Sequence, residues 1–300
     1  ILFLNLVLKK MAPLKKTETI LPRPSQFGMV GDGFRVYNYF PSGYRIRDKI
    51  SPFFLFDFNP AYDFGPSLQP KGVDVHPHKG FETVTIAYKG SVAHHDSRGN
   101  SGIIHPGDVQ WMTAGGGILH KEYHEKDFSK TGGFFEMVQL WVNLTKKDKL
   151  TAPHYQAIES DRMGKYEVSN NGGIVNVVAG EFNGIKGAAQ TYTEINMYDM
   201  RLNEGAIVSF NIKATHNCGI LLVEGGAEIN NNKALQHEFV LFANEGEKIE
   251  IKAHEKCVLL VLSGEPINEP VVQYGPFVMN TNQEIHEAID EFNSGKFGVL

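Results

Sequence analysis

Short alternating segments cut by glycine constrain this chain more than any other feature. Phe34 to Phe40, Phe53 to Phe58 and Glu82 to Tyr88 place large apolar or β-branched side chains at alternate positions, the period of a strand and not of a helix. Gly90, Gly99-Asn100, Gly102 and Pro106-Gly107-Asp108 interrupt the pattern at short intervals, which is the rhythm of an antiparallel barrel or sandwich. The texture returns in the second half, over 173–179, 189–202, 206–212, 219–229, 238–243 and 247–262. Laying Gly219 to Gly226 under Glu82 to Gly90 brings the turns into step, so the chain reads as two copies of one β fold. Its 300 residues are enough for two domains. The charged run Thr145-Lys146-Lys147-Asp148-Lys149 marks the expected break, giving domains at 11–147 and 148–300. The second ends in a helix over 281–294, signalled by a capping box of Thr281 and Glu284 with Ile285, Ile289 and Phe292 on one face; such a helix is expected to pack on a barrel.

The apolar residues 1–8 are too few to span a bilayer, and their positive charges follow the run where a secretory signal would place them before it. Residues 1–10 are therefore read as a leader preceding Met11, and the protein as cytoplasmic. Cys218 and Cys257 sit in apolar strands at no metal or redox spacing, as buried free thiols do. A net charge of -5 gives no reason to expect nucleic acid as a direct partner.

Chemistry concentrates elsewhere. Seven of the 12 histidines lie between 76 and 124, and His76 and His78 project from one face of a strand, as do His120 and Glu122. Three imidazoles and a carboxylate suit a transition ion that keeps coordination positions open for substrate or oxygen; a structural zinc site would use cysteine. His94, His95 and His105 fall among turns and are expected to be solvated, and His124 to be a strand neighbour. At the positions matching these pairs the second half keeps only single histidines, His216 and His254, neither with a partner on its own face, so the metal is expected in the first half alone. Aromatics from Phe53 to Phe58, with Phe81 and Trp111, could wall a flat ligand, though most are expected in the core.

The runs His76 to Val84, Pro106 to Gly115, Gly117 to Glu122 and Gly275 to Thr281 resemble the pirin family of the cupin superfamily over about residues 20 to 298. The resemblance implies an all-β bicupin: two double-stranded β-helix barrels and a C-terminal helix, with one mononuclear metal in the first barrel. Iron(II) is the expected ion, with Mn, Ni, Cu, Co and Zn as alternatives. The general cupin pattern takes its carboxylate at Glu82 and the pirin pattern at Glu122. Glu122 shares a face with His120 without further condition, so the expected ligands are His76, His78, His120 and Glu122, with Glu82 orienting an imidazole from behind. Gly116 departs from the larger or charged residue of many pirins and leaves a pliant approach to His120.

The resemblance further implies quercetin 2,3-dioxygenase activity on a flavonol-type substrate and dioxygen, with Glu122 as ligand and base. The alternative it implies is a metal- or redox-dependent interaction protein or transcriptional co-regulator, which would require a protein partner. A monomer with no membrane association is expected in either case.

Overall fold

In a computed structural model the described residues are 12–300, so the expected leader lies outside them. Two barrels share one plan. The first has a seven-stranded antiparallel sheet in the order His154–Ile158, Val109–Thr113, Phe81–Lys89, Gly133–Asn143, Phe53–Phe64, Phe34–Phe40, Gly28–Val30. Its four-stranded sheet runs Gly72–His78, Ile118–His124, Val92–Asp96, Ser101–Ile104. The second barrel repeats this as Thr17–Leu21, Phe239–Phe242, Asn217–Glu224, Cys257–Gly264, Ile195–Leu202, Gly173–Ala179, Gly164–Val168, against Ile207–Asn211, Lys248–Ala253, Ala227–Ile229, Asn232–Ala234. The expected duplication is therefore present strand for strand.

The chain does not divide at one point, however. Each large sheet takes an outer strand from across the expected break. Thr17–Leu21 pairs with Phe239–Phe242 in the second barrel, and His154–Ile158 with Val109–Thr113 in the first. The C-terminal segment crosses as well. Helix Asn282–Asn293, capped by Thr281 and Glu284 in a capping box, packs Ile285 and Ala288 with Phe277, Met279 and Phe297 against Leu119 of the first barrel. Lys149, 1% exposed, donates to the carbonyls of Gly80 (2.8 Å) and Val278 (2.9 Å) and to Asn143 Oδ1 (2.6 Å), fastening this segment to the first barrel.

The large sheets are buried on both faces. One face carries Phe56, Phe58, Val84, Ile86, Trp111, Val138 and Leu140 into a core shared with Leu221, Phe239, Leu241 and Leu260 of the other barrel. The opposite faces line the two barrel interiors, which differ in chemistry. The second is filled by hydrocarbon, including Val175, Met200, Ile220, Leu222, Ile249 and Ile251; the first is apolar at one end, around Phe34, Phe64 and Phe135, and polar beyond it. Cys218 and Cys257 are buried and unpaired. No helix among the described residues is long and apolar enough to cross a membrane.

Candidate metal centre

Strand register builds the centre. In the pair Gly72–His78 with Ile118–His124, His76 stands directly opposite His120, and His78 lies two residues on, opposite Ile118. Alternation turns His76 and His78 to the same side, and the three rings converge with centroid separations of 4.8, 4.3 and 4.7 Å. Their candidate ligand nitrogens lie within 4.8 Å of one another. His76 Nδ1 is 2.8 Å from the Asp74 carbonyl; donating there fixes its tautomer and leaves the Nε2 lone pair free. That Nε2 meets His120 Nε2 at 2.8 Å.

The surroundings keep these rings neutral. Burial, and then the neighbouring imidazoles, hold His78 and His120 well below the usual histidine range, and burial lowers His76. Neutral imidazole is the metal-binding form. Converging lone pairs in a buried site, with no thiolate near, fit a borderline divalent transition ion.

Glu122 lies outside the triangle of imidazoles. A register shift between His120 and Glu122 sets it opposite Val73. It is 6% exposed, and burial pushes its carboxyl up to about 7. Thr85 Oγ1 stands 3.2 Å from its Oε1. Glu122, His76 and His78 open on one cavity of about 350 Å³, walled by Phe34, Leu55, Met137 and Trp141 and edged by Asp57 and Gln139.

Glu82 points elsewhere. It shares a face with Val84 and Ile86, which belong to the core between the barrels, and it accepts from Thr113 Oγ1 at 2.7 Å. The expectation that it orients one of the three imidazoles is thereby corrected: strict alternation along the strand carries it to the other side of the sheet.

The remaining histidines separate. His94 and His95 are not solvated loop residues but lie on the strand Val92–Asp96. His94 is 1% exposed, its Nε2 is 2.6 Å from the Tyr155 hydroxyl, and burial lowers it to about 4. His95 meets the Tyr123 hydroxyl at 2.8 Å, and His105 is exposed. His124 is buried among Phe34, Phe64, Phe128 and Phe135 and holds the Gly33 carbonyl at 2.9 Å. In the second barrel His216 is buried near Ser263 Oγ (3.3 Å), while His254 is exposed beside Glu228.

The cavity's walls were mostly unforeseen. Phe56, Phe58 and Trp111 belong to the core between barrels, whereas Leu55 and Asp57 line the cavity with Gln139 and Trp141. Phe81 stacks on Trp141 at 4.3 Å beside His78. A usable signal was present: Asp57 and Gln139 are polar residues each flanked on both sides by apolar ones. In the glycine run, Gly115 and Gly117 have φ of +46° and +122°, where glycine is favoured. A Cβ at Gly116 would meet nothing nearer than 3.4 Å.

Comparison with known proteins agrees with this architecture. Residues 33–142 match the family model described as Pirin, and 197–298 the one described as Pirin C-terminal cupin domain. A Pseudomonas aeruginosa protein, provisionally named a quercetin 2,3-dioxygenase, is 42% identical over 89% of this chain and 93% of its own length. The crystal structure of a quercetin 2,3-dioxygenase from Acinetobacter baumannii superposes with a TM-score of 0.90 at 44% identity, covering 95% of this chain and 99% of that one. The nickel(II) complex of the Escherichia coli pirin YhhW shares the fold, with a TM-score of 0.62 at 22% identity over 83% of this chain and 100% of its own. With both cupin barrels matched and the relationship running over most of its length, the chain belongs to the pirin family of bicupins.

Proposed function

We propose that this protein is a metal-dependent dioxygenase acting on a flavonol-type substrate, the activity carried in the names of its relatives from Pseudomonas and Acinetobacter. The observation that carries the reading is the meeting of three neutral imidazoles, two of which open with a buried carboxyl on a largely apolar cavity of about 350 Å³. His76, His78 and His120 hold the ion, and Glu122 is its fourth ligand. Iron(II) is the ion we favour. When bound, it supplies a Lewis acid and a template for substrate and dioxygen.

The protein's own groups do the rest. Phe34, Leu55 and Trp141 take the flat ring system and exclude water. Glu122 accepts the proton of the substrate hydroxyl presented to it. Thr85, whose Oγ1 stands 3.2 Å from Glu122 Oε1, holds the carboxyl in place for that exchange. The buried free thiols support a reducing, cytoplasmic setting.

Anaerobic loading with iron(II), followed by oxygen uptake with and without quercetin, tests this. Uptake is expected to depend on the flavonol and to vanish in His120→Ala, together with the bound metal. Uptake that ignores the flavonol, or survives His120→Ala, overturns the reading and leaves the co-regulator alternative in its place.

A further inference from the structure

A row of polar side chains crosses the inner face of the first barrel's large sheet. Register places Asn38 opposite Asp57, Asp57 opposite Gln139, Gln139 opposite Thr85 and Thr85 opposite Gln110. Directly opposed residues share a face, so the row is continuous over five strands. At its centre the members are tied from the outside. Asn38 Nδ2 donates to Asp57 Oδ1 at 2.7 Å, and Thr85 Oγ1 stands 2.7 Å from Gln139 Oε1 and 3.2 Å from Glu122 Oε1. Asp57 Oδ2 and Gln139 Nε2 have no protein partner among the described residues, and both side chains line the cavity that holds His76, His78 and Glu122.

An acceptor directly across the register from a donor, on a stretch of wall flanked by Phe34, Val36, Leu55, Met137 and Trp141, is a polar patch that a ligand entering this cavity meets. A buried carboxylate with no cation beside it needs hydrogen bonds to offset its desolvation, and Asn38 supplies only one. A hydroxyl group satisfies both atoms together, donating to Asp57 Oδ2 and accepting from Gln139 Nε2. The position along the sheet is also defined. Trp141, opposite Leu55, packs beside His78 with ring centroids 5.4 Å apart; the Gln139–Asp57 pair is two residues further along, roughly 7 Å at strand spacing. The flanking apolar walls select a flat, aromatic bearer of that hydroxyl over a sugar.

We propose that Asp57 and Gln139 form a specificity site for a phenolic hydroxyl of the substrate, distinct from the oxygen atoms that face the histidines. The site would then take polyhydroxylated aromatics, such as ring-hydroxylated flavonols, over the unsubstituted parent. This rests on the reading of the cavity as the substrate site, but it is testable by binding alone. Titration calorimetry on the metal-free protein would compare quercetin with 3-hydroxyflavone, which lacks the other ring hydroxyls. Wild type is expected to favour quercetin by about 10- to 100-fold, the range for a hydrogen-bond pair to a charged group. Asp57→Leu and Gln139→Leu each abolish most of that preference and leave 3-hydroxyflavone unchanged, while Asp57→Asn keeps part of it.

Equal weakening of both ligands in the variants, or no preference in wild type, overturns the proposal. Should Asp57→Leu fail to fold, Gln139→Leu decides the matter by the same criterion. The two readings fail separately. Preference without oxygen uptake by the iron-loaded protein would sink the dioxygenase and keep the site; turnover with no preference would do the reverse.

Discussion

Truncating Phe297 to alanine should loosen the first barrel although the residue belongs to the second half of the chain. Its ring is 1% exposed, packs with Phe277 and Phe292 at centroid distances of 6.1 Å, and lies over Gly117. A buried phenylalanine removes roughly 150–200 Å² from water, worth about 4 kcal/mol at 25 cal/mol/Å², and Phe→Ala changes in cores cost about 3–5 kcal/mol. An unfolding entropy near 2.1 cal/mol/K per residue, over 300 residues, is about 0.6 kcal/mol/K. The expected fall in Tm is therefore about 6 °C. Phe292, 38% exposed on the same segment, is the control: Phe292→Ala should cost under about 1 kcal/mol. Differential scanning calorimetry measures both. Equal shifts for the two variants, or a fall below about 2 °C for Phe297→Ala, would refute the view that this ring seals the approach to His120. Because Gly117 leads directly into the strand bearing His120, metal affinity measured by competitive chelation should fall with Tm in Phe297→Ala and hold in the control.

Two further substitutions probe the same region. Gly117→Ala would place a Cβ 2.2 Å from a ring carbon of Phe297 at a φ of +122°, so a loss of about 2–4 kcal/mol is expected; Gly116→Ala, with 3.4 Å of clearance, should stay within about 0.5 kcal/mol, and thermal melts that fail to separate them would contradict the packing described. Glu82→Gln tests which carboxylate serves the metal. Burial raises Glu82 to about 7 from 4.5, so the folded state keeps a proton that the unfolded state releases, and stability falls as pH rises from about 4.5 to 7. At 1.36 kcal/mol per pKa unit this reaches about 3 kcal/mol. The variant should match wild type near pH 4.5, gain up to that amount at pH 8, and bind metal normally, whereas a loss of metal would show that Glu82 reaches the ion after all.

Much of this was legible because alternation is a strong signal wherever one face of a strand differs from the other. His76 and His78 stand on one face at that spacing, and Thr281 with Glu284 marks its helix as written. Alternation fell silent where both faces are buried. Phe81–Lys89 is buried along almost its whole length, one side facing the barrel interior and the other its sister barrel, so no pattern of polarity said which way Glu82 would point. His94 and His95 were hidden by the nearness of turns on both sides of a five-residue strand. The partner of Thr17–Leu21 was beyond reach for another reason: its pairing residues lie more than 200 positions away, and a half-exposed strand of five residues carries no local mark of where it will dock.

That distant pairing sets an order of events for a chain made from its N-terminus. Thr17–Leu21 emerges first yet waits for Phe239–Phe242, and the histidine-bearing barrel stays unsealed until Phe297 is free to cover Gly117. Separated from each other, the halves would each present a raw sheet edge where the other's strand belongs, an open invitation to pair with a neighbouring chain. Closing so long a loop favours slow, late folding. It also means that a nick between the halves is expected to cost the metal module its outer strand His154–Ile158 and its Phe297 cover, although all three histidines would remain on one fragment.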